Sequence, residues 1–272
     1  MFLTRHPGPR LSPFVKILWA TDQTASPQSV AADRERVLPT GGMHLVFRLS
    51  DHALRIFEGI NDPIGCRVGH TVVGGARATF YVREISEPAR SVGVQLQPGA
   101  AELLFGVPAD ELAGRHTPLE DLWGPSVVEA RERLVEAGGP QRQLDILESL
   151  LAARLPTVRG LHPAVARALG RFATTADVRQ VVRESGYSHR RFIALFNRGL
   201  GLTPKLYCRI LRFQGALEQV AAHPAASLVE VALDAGYSDQ AHFNREFREF
   251  AGVSPGEYRE LSPTFPHHVP IR

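Results

Sequence analysis

The stretch Gly236–Arg259, GYSDQAHFNREFREFAGVSPGEYR, decides how the C-terminal half of the chain is read. It follows Val229–Ala235, a helix-forming run that meets Gly236, the residue type that best tolerates the left-handed turn after a helix. Ser238 offers a hydroxyl to cap a new helix, and Asp239 suits the positive end of its dipole. Phe243, Phe247 and Phe250 recur at i, i+4 and i+7, so one face of that helix is apolar. The other face carries Gln240, Ala241, Asn244, Arg245 and Arg248. Gly252 stops the helix, and Ser254-Pro255-Gly256-Glu257 has the N1 proline and capping-box spacing that start another. Helix, glycine turn, and a helix with Gln, Asn and Arg on one face is what a DNA-reading helix-turn-helix requires. Arg bonds guanine at two points, and Asn or Gln does the same to adenine. A surface helical hairpin with a solvated polar face would satisfy the same residues.

A second copy lies upstream. Gly186–Tyr207 reads GYSHRRFIALFNRGLGLTPKLY, so Gly-Tyr-Ser recurs at an offset of fifty. Phe192, Phe196, Gly201, Thr203-Pro204 and Tyr207 then match Phe243, Phe247, Gly252, Ser254-Pro255 and Tyr258 at an offset of fifty-one. The second copy therefore has one extra residue at the start of its reading helix. Such similarity marks a repeated supersecondary unit. Pro204–Ala222 holds helix formers with Gly215 as the sole breaker, which predicts one helix joining the copies; His223-Pro224 ends it. Ser227-Leu228-Val229-Glu230 is a further capping-box pattern.

Two such units joined by a long helix resemble the DNA-binding domain of the AraC/XylS family of bacterial transcription regulators, over roughly residues 162–260. The resemblance implies two recognition helices in successive major-groove segments on one face of DNA, about 34 Å apart. Carried across residue by residue, it places Arg190, Ile193 and Ala194 of the first unit at base edges. In the second it places Gln240, Ala241, Asn244 and Arg245 there. Ile193 and Ala194 depart from the polar residues common at those positions and can only touch thymine methyls or fill space, which makes the first helix the weaker reader. Ser188 and Ser238, as caps, and Arg191, Arg198, Lys205, Arg209 and Arg248 are the candidates for phosphate.

Composition fits this reading. At 272 residues, 44% hydrophobic and 22% charged, the chain has room for two globular domains. No apolar run approaches a membrane span, and the N-terminus, MFLTRHPGPRLSPF, lacks a secretory pattern. Cys66 and Cys208 fall in different domains and are expected as free thiols, which points to the cytoplasm. Residues 161–272 hold 14 Lys and Arg against 10 Asp and Glu, and residues 1–160 hold 17 against 18. Between 178 and 212 eight basic residues face a single acid, Glu184, a footprint for phosphates or else a solvated basic surface.

The N-terminal half has short apolar runs at Phe14–Trp19, His44–Leu49, Leu54–Phe57, Thr71–Val73, Thr79–Val82 and Val92–Leu96, punctuated by Gly, Pro, Asp and Asn. That is the pattern of an antiparallel sandwich or barrel. Short helices follow at Ala101–Phe105, Ala109–Leu112 and Leu119–Leu122, and longer ones at Val127–Ala137 and Gln141–Leu155. Leu144, Leu147, Leu151 and Leu155 form a stripe that is either core or a dimer seam. SPFVKILWA, RVLPTGGMHLVFRLS and VGVQLQPGAAELLFGVPADELAGRHTPLEDLWG resemble an uncharacterised N-terminal domain found on one branch of these regulators, similar to the family's cupin-like sensor barrels. Where that pattern commonly carries an acidic residue, this chain has His44.

No catalytic or metal motif stands out. His6, His44, His52, His70 and His116 lack the close spacing of cupin metal ligands, and there is no Gly-x-Ser-x-Gly elbow. Cys66, beside Arg67, reads as a reactive sensor thiol or as an inert one. His267-His268 sits in a Pro-rich tail expected to be disordered.

The expectation is an α+β protein with a cupin-like β-barrel or sandwich and trailing helices, then an all-α, homeodomain-like tandem helix-turn-helix. The predicted divisions are 1–125 for sensing or dimerisation, 126–160 as helical linker, 161–262 as reader and 263–272 as tail. The partners expected are double-stranded DNA, a small-molecule effector, a second copy of the chain and RNA polymerase, with no cofactor and no membrane. A constitutive DNA-binding dimer, and an enzyme barrel fused to a reader, are the other readings. An interior pocket with convergent polar groups favours the effector; a packed interior favours the constitutive dimer.

Overall fold

The computed structural model describes residues 2–23, 33–86, 89–155 and 161–271. Alternating residues in the N-terminal half form β1 (Phe2–Arg5), β2 (Val15–Gln23), β3 (Arg34–Val37), β4 (His44–Arg48), β5 (Leu54–Phe57), β6 (Cys66–Gly69), β7 (Thr71–Gly74), β8 (Tyr81–Glu84) and β9 (Ala89–Leu96). After α1 (Ala101–Phe105) and α2 (Ala109–Leu112) come β10 (His116–Pro118), α3 (Glu120–Trp123), α4 (Ser126–Glu136) and α5 (Pro140–Arg154). One antiparallel sheet has the order β1-β2-β9-β4-β7-β10. The other has β3-β8-β5-β6 and gains one more strand, described below, at its β3 edge. The strands therefore make a two-sheet sandwich, one of the two architectures the alternation allowed.

The larger sheet has two differently used faces. Because strand side chains alternate, Leu18, Ala20, Leu45, Phe47, Val92, Val94 and Leu96 share the face that is buried beneath the trailing helices. α5 packs there against β1, β2 and β9, with Leu144, Leu147 and Leu151 fully buried. The leucine stripe is core of this chain, and Leu155 packs partly buried beside it. Arg5 clamps the helix by reaching Asp145 at 2.6 Å and Glu148 at 2.9 Å.

The C-terminal half begins with α6 (Pro163–Phe172), α7 (Val178–Ser185) and α8 (His189–Leu200), the first helix-turn-helix unit. α9 (Pro204–Ala222) is the joining helix, with the predicted bounds, and α10 (Leu228–Asp234), α11 (Gln240–Ala251) and α12 (Pro255–Leu261) make the second unit. Phe192 and Phe196 pack with Phe172 and Tyr207 in the first unit; Phe243, Phe247 and Phe250 pack around Phe213 and Tyr258 in the second. Each buried ring contributes about 1.5–3 kcal/mol, so the phenylalanine spacing is a main determinant of how the helices face one another.

One cap differs from expectation. α11 is capped by Asp239, whose carboxylate accepts from the His242 N–H at 2.7 Å, while Ser238 bonds Asp239 and His242 side chains. In α8 the cap is Ser188. The offset of fifty-one already applies at this point, so Asp239 is the equivalent of Ser188, and its charge favours the helix N-terminus. Ser254 and Glu257 form the expected capping box at α12.

The tail is ordered. β11 (His268–Ile271) pairs antiparallel with β3, setting Val269 opposite Arg36 and burying its side chain completely. The expectation of a disordered His267-His268 pair fails because β3, otherwise an open edge, supplies a partner strand.

Candidate nucleic-acid interface and interior cavity

Helices α8 and α11 bury their phenylalanines on one face and leave the other partly or fully exposed. Arg190, Arg191 and Ala194 are exposed on α8, with Ile193 half-buried; Ala241 and Arg245 are exposed on α11, with Gln240 and Asn244 half-buried. Among the described residues Arg190, Arg191, Lys205 and Arg245 make no ion pair. The remaining phosphate candidates are differently placed. Arg198 bonds Glu102 of α1 at 2.8 Å, and Arg248 lies 3.5 Å from Glu257, both pairs well exposed. Arg209 reaches Glu246 at 2.7 Å and Glu249 at 2.5 Å, and Arg212 meets Glu246 at 2.8 Å. Glu246 is only 4% exposed, so this cluster ties α9 to α11. Burial would raise the Glu246 pKa, but the two arginines outweigh it and hold the carboxyl below its ordinary range.

Both units meet the N-terminal half at equivalent glycines, the first against α2 and the second against the smaller sheet. Gly201 and Gly252 close α8 and α11 in the left-handed conformation, at φ 75° and 71°. A Cβ on Gly201 would meet the Ala109 carbonyl at 2.8 Å, and one on Gly252 would meet the Phe80 ring at 2.7 Å. A side chain at either place would strain the turn and push the halves apart.

The second feature is a cavity of about 330 Å³ between the two sheets. Its walls come from the inner face of the larger sheet, including Trp19, His44, Val46 and Arg48, and from Glu35, Tyr81 and Arg83 opposite. His267 and His268 of the C-terminal segment complete it. Alternation places His44, Val46 and Arg48 together on one face of β4. Gly74 lets the His44 ring lie across β7, since any Cβ there would collide with the imidazole.

The cavity is electrostatically uneven. Arg83 Nε donates to Glu35 Oε1 at 2.6 Å, and His268 Nδ1, at 2.7 Å, donates to the same oxygen. Burial works against the Glu35 charge, yet Arg83 and His268 prevail and pull its pKa down to about 2. Burial, reinforced by the charge of Arg83, drops His44 to about 4, so this ring is neutral near pH 7. Arg48 is 7% exposed, and its Nε donates to the His52 carbonyl at 3.1 Å. No carboxylate among the described residues lies within ion-pair distance of it. Burial, then the charge of Arg83, pushes its pKa down to about 10, while the Glu84 carboxylate on the same cavity wall, beyond ion-pair distance, opposes the shift. A buried cation without an adjacent anion is costly unless something else satisfies it.

Sequence reading missed Trp19, Glu35, Arg48, Tyr81, Arg83, His267 and His268 as site residues. The signal was present in RVLPTGGMHLVFRLS, where polar residues alternate with apolar ones. A strand with such alternation ordinarily turns its polar face to solvent. Here a second sheet covers that face.

Comparison with known proteins bears on the helical half. The family described as a helix-turn-helix domain matches residues 165–261. Residues 165–261 are an AraC-type helix-turn-helix domain. Its relatives include HTH-type transcriptional regulator MtrA of Neisseria gonorrhoeae, 31% identical over 31% of this chain and 28% of MtrA. Another is putative HTH-type transcriptional regulator YkgA of Escherichia coli, 32% identical over 33% of this chain and 39% of YkgA. The chain thus spans less than two-fifths of the length of these relatives, and the similarity speaks for the AraC-type domain alone. Residues 3–118 match a family described as a domain of unknown function. Among solved structures, ToxT from Vibrio cholerae bound to (E)-4-(8-methylnaphthalen-1-yl)but-3-enoic acid aligns over 96% of this chain and 99% of its own, at 8% identity and a TM-score of 0.47. No helix among the described residues is long and apolar enough to cross a membrane. Cys66 is exposed and Cys208 half-buried, both free.

Proposed function

We propose that the protein is a cytoplasmic, sequence-specific transcription regulator whose AraC-type domain reads two adjacent major-groove segments and whose sandwich binds a small effector. The observation that carries the first part is the outward face of α8 and α11. Arg190 and Arg245 are exposed beside the buried phenylalanines, Gln240 and Asn244 are half-buried with the Asn244 Oδ1 itself buried, and Arg190, Arg191, Lys205 and Arg245 make no ion pair among the described residues. Ser188 and Arg191 at the start of α8, Ser238 just before α11 and Lys205 at the start of α9 are the candidate phosphate contacts, with Arg198, Arg209 and Arg248 available on exchange of their present partners. The test is binding of the protein to its own upstream DNA against random DNA of equal length across a salt series. A preference of about three orders of magnitude, with a log–log salt slope of about −5, supports this function. Equal weak binding to both, with and without a cavity ligand, contradicts it.

The effector part rests on Arg48. An apolar molecule with one carboxylate would bring an anion into direct contact with this guanidinium and lay its body against Trp19, Val46 and Phe265. In a Trp123→Phe background Trp19 is the one remaining tryptophan and reports occupancy by fluorescence. Octanoate is expected to bind at least about tenfold tighter than octanol or octylamine, and Arg48→Gln to abolish the difference. Equal responses to all three would overturn the anionic effector.

A further inference from the structure

The C-terminal segment belongs to both halves of the molecule. On the reader side, Tyr258 of α12 donates its hydroxyl to the Pro266 carbonyl at 2.9 Å. On the sandwich side, the Leu38 N–H donates to the His267 carbonyl at 2.9 Å, and β11 then runs along β3. Between these, Gln214 of α9 makes a bridge. Its Nε2 donates to the Pro39 carbonyl at 2.6 Å, which turns its Oε1 toward His267, and His267 Nε2 lies 2.5 Å from that oxygen. Phe265, His267 and His268 meanwhile line the cavity. One short segment is thus a wall of the cavity and a strut on the helix that joins the two reading units.

We propose that this segment is a strap that reports cavity occupancy to the reader. β11 has four residues and one neighbouring strand, so it belongs to the least stable part of its sheet. A molecule seated in the cavity packs against Phe265, His267 and His268 and holds β11 on β3. Through His267 and Gln214 it steadies α9, and with α9 the spacing between α8 and α11. The strap rests on the effector reading for its trigger, while its bonding stands without it.

Gln214 does not line the cavity, so Gln214→Leu cuts the bridge and leaves the cavity walls in place. The experiment is hydrogen exchange on the full chain, wild type and Gln214→Leu, with and without octanoate. Without ligand, Gln214→Leu speeds exchange of the Leu38 amide and of segment 262–271 at least tenfold, with Leu45 unchanged. With octanoate, wild type slows exchange in 262–271 and in the middle of α9, whereas the variant slows only 262–271. His267→Asn gives the same loss by a second route. Unchanged exchange at Leu38 in both variants, or equal protection of α9 in wild type and variant, would overturn the strap. If Trp19 shows that octanoate does not bind, the effector reading fails, and the ligand-free arm alone decides the strap.

Discussion

His267 donates to Gln214 at 2.5 Å across the boundary between a β sandwich and a helix-turn-helix domain. The direction follows from Gln214, whose amide nitrogen is already committed to Pro39. Burial, with the neighbouring charge of His268, pulls His267 down to about 4, so the bond is made by a neutral ring at pH 7. Two histidines inside the sandwich share this condition. Burial also takes His44 to about 4 and His116 to about 2.

These shifts set an acid sensitivity. A histidine whose folded pKa lies below its ordinary 6.5 is neutral in the fold and protonated on unfolding in the window between. The unfolded chain then binds more protons, so stability is full above pH 6.5 and falls as the pH drops toward 4. The denaturation midpoint measured from pH 7.5 to 4.5 is expected to decline with a slope of up to about three protons, and His44→Gln to flatten it. A flat profile would contradict the buried neutral rings. Glu35, held at about 2, adds its own loss only below its ordinary 4.5.

Glu246→Gln is expected to cost about 3 kcal/mol, because it leaves Arg209 and Arg212 without their shared carboxylate. The low end of the range applies, since those arginines are 28% and 26% exposed. Chemical denaturation measures the loss. A cost below about 0.5 kcal/mol would mean that the cluster does not hold α9 to α11.

The C-terminal half was legible because its signals are local. Phenylalanines at helical spacing, glycines at both turns and Pro after Ser or Thr specify α8, α9, α11 and α12 through short-range pattern alone. Strands with apolar alternation, such as β4 and β9, were equally visible. β3 was not: Arg34-Glu35-Arg36-Val37 carries three charges and reads as a surface loop until β8 and β11 pair with it. β11 was hidden by Pro270 and by the adjacent pair His267-His268. The cavity could not be read because it needs both sheets, and a charge that faces another sheet looks the same in sequence as one that faces water. The proposed base contacts rest on resemblance and periodicity, neither of which carries any sign of the ion pairs that hold Arg198 and Arg209.

Lys205→Ala should weaken binding to all DNA sequences alike and reduce the log–log salt slope by about one. Filter binding or fluorescence anisotropy at four salt concentrations checks this. A loss confined to one sequence would move Lys205 from the phosphates to the bases.

The most direct test concerns Arg245 on α11. Binding of wild type and Arg245→Ala is measured to the protein's own upstream site, to single-base variants of that site and to random DNA. The expected result is a loss of about 1–3 kcal/mol on the specific site, with discrimination relaxed at one base position and random DNA little affected. An equal loss on specific and random DNA would contradict base reading by α11, and with it the central claim.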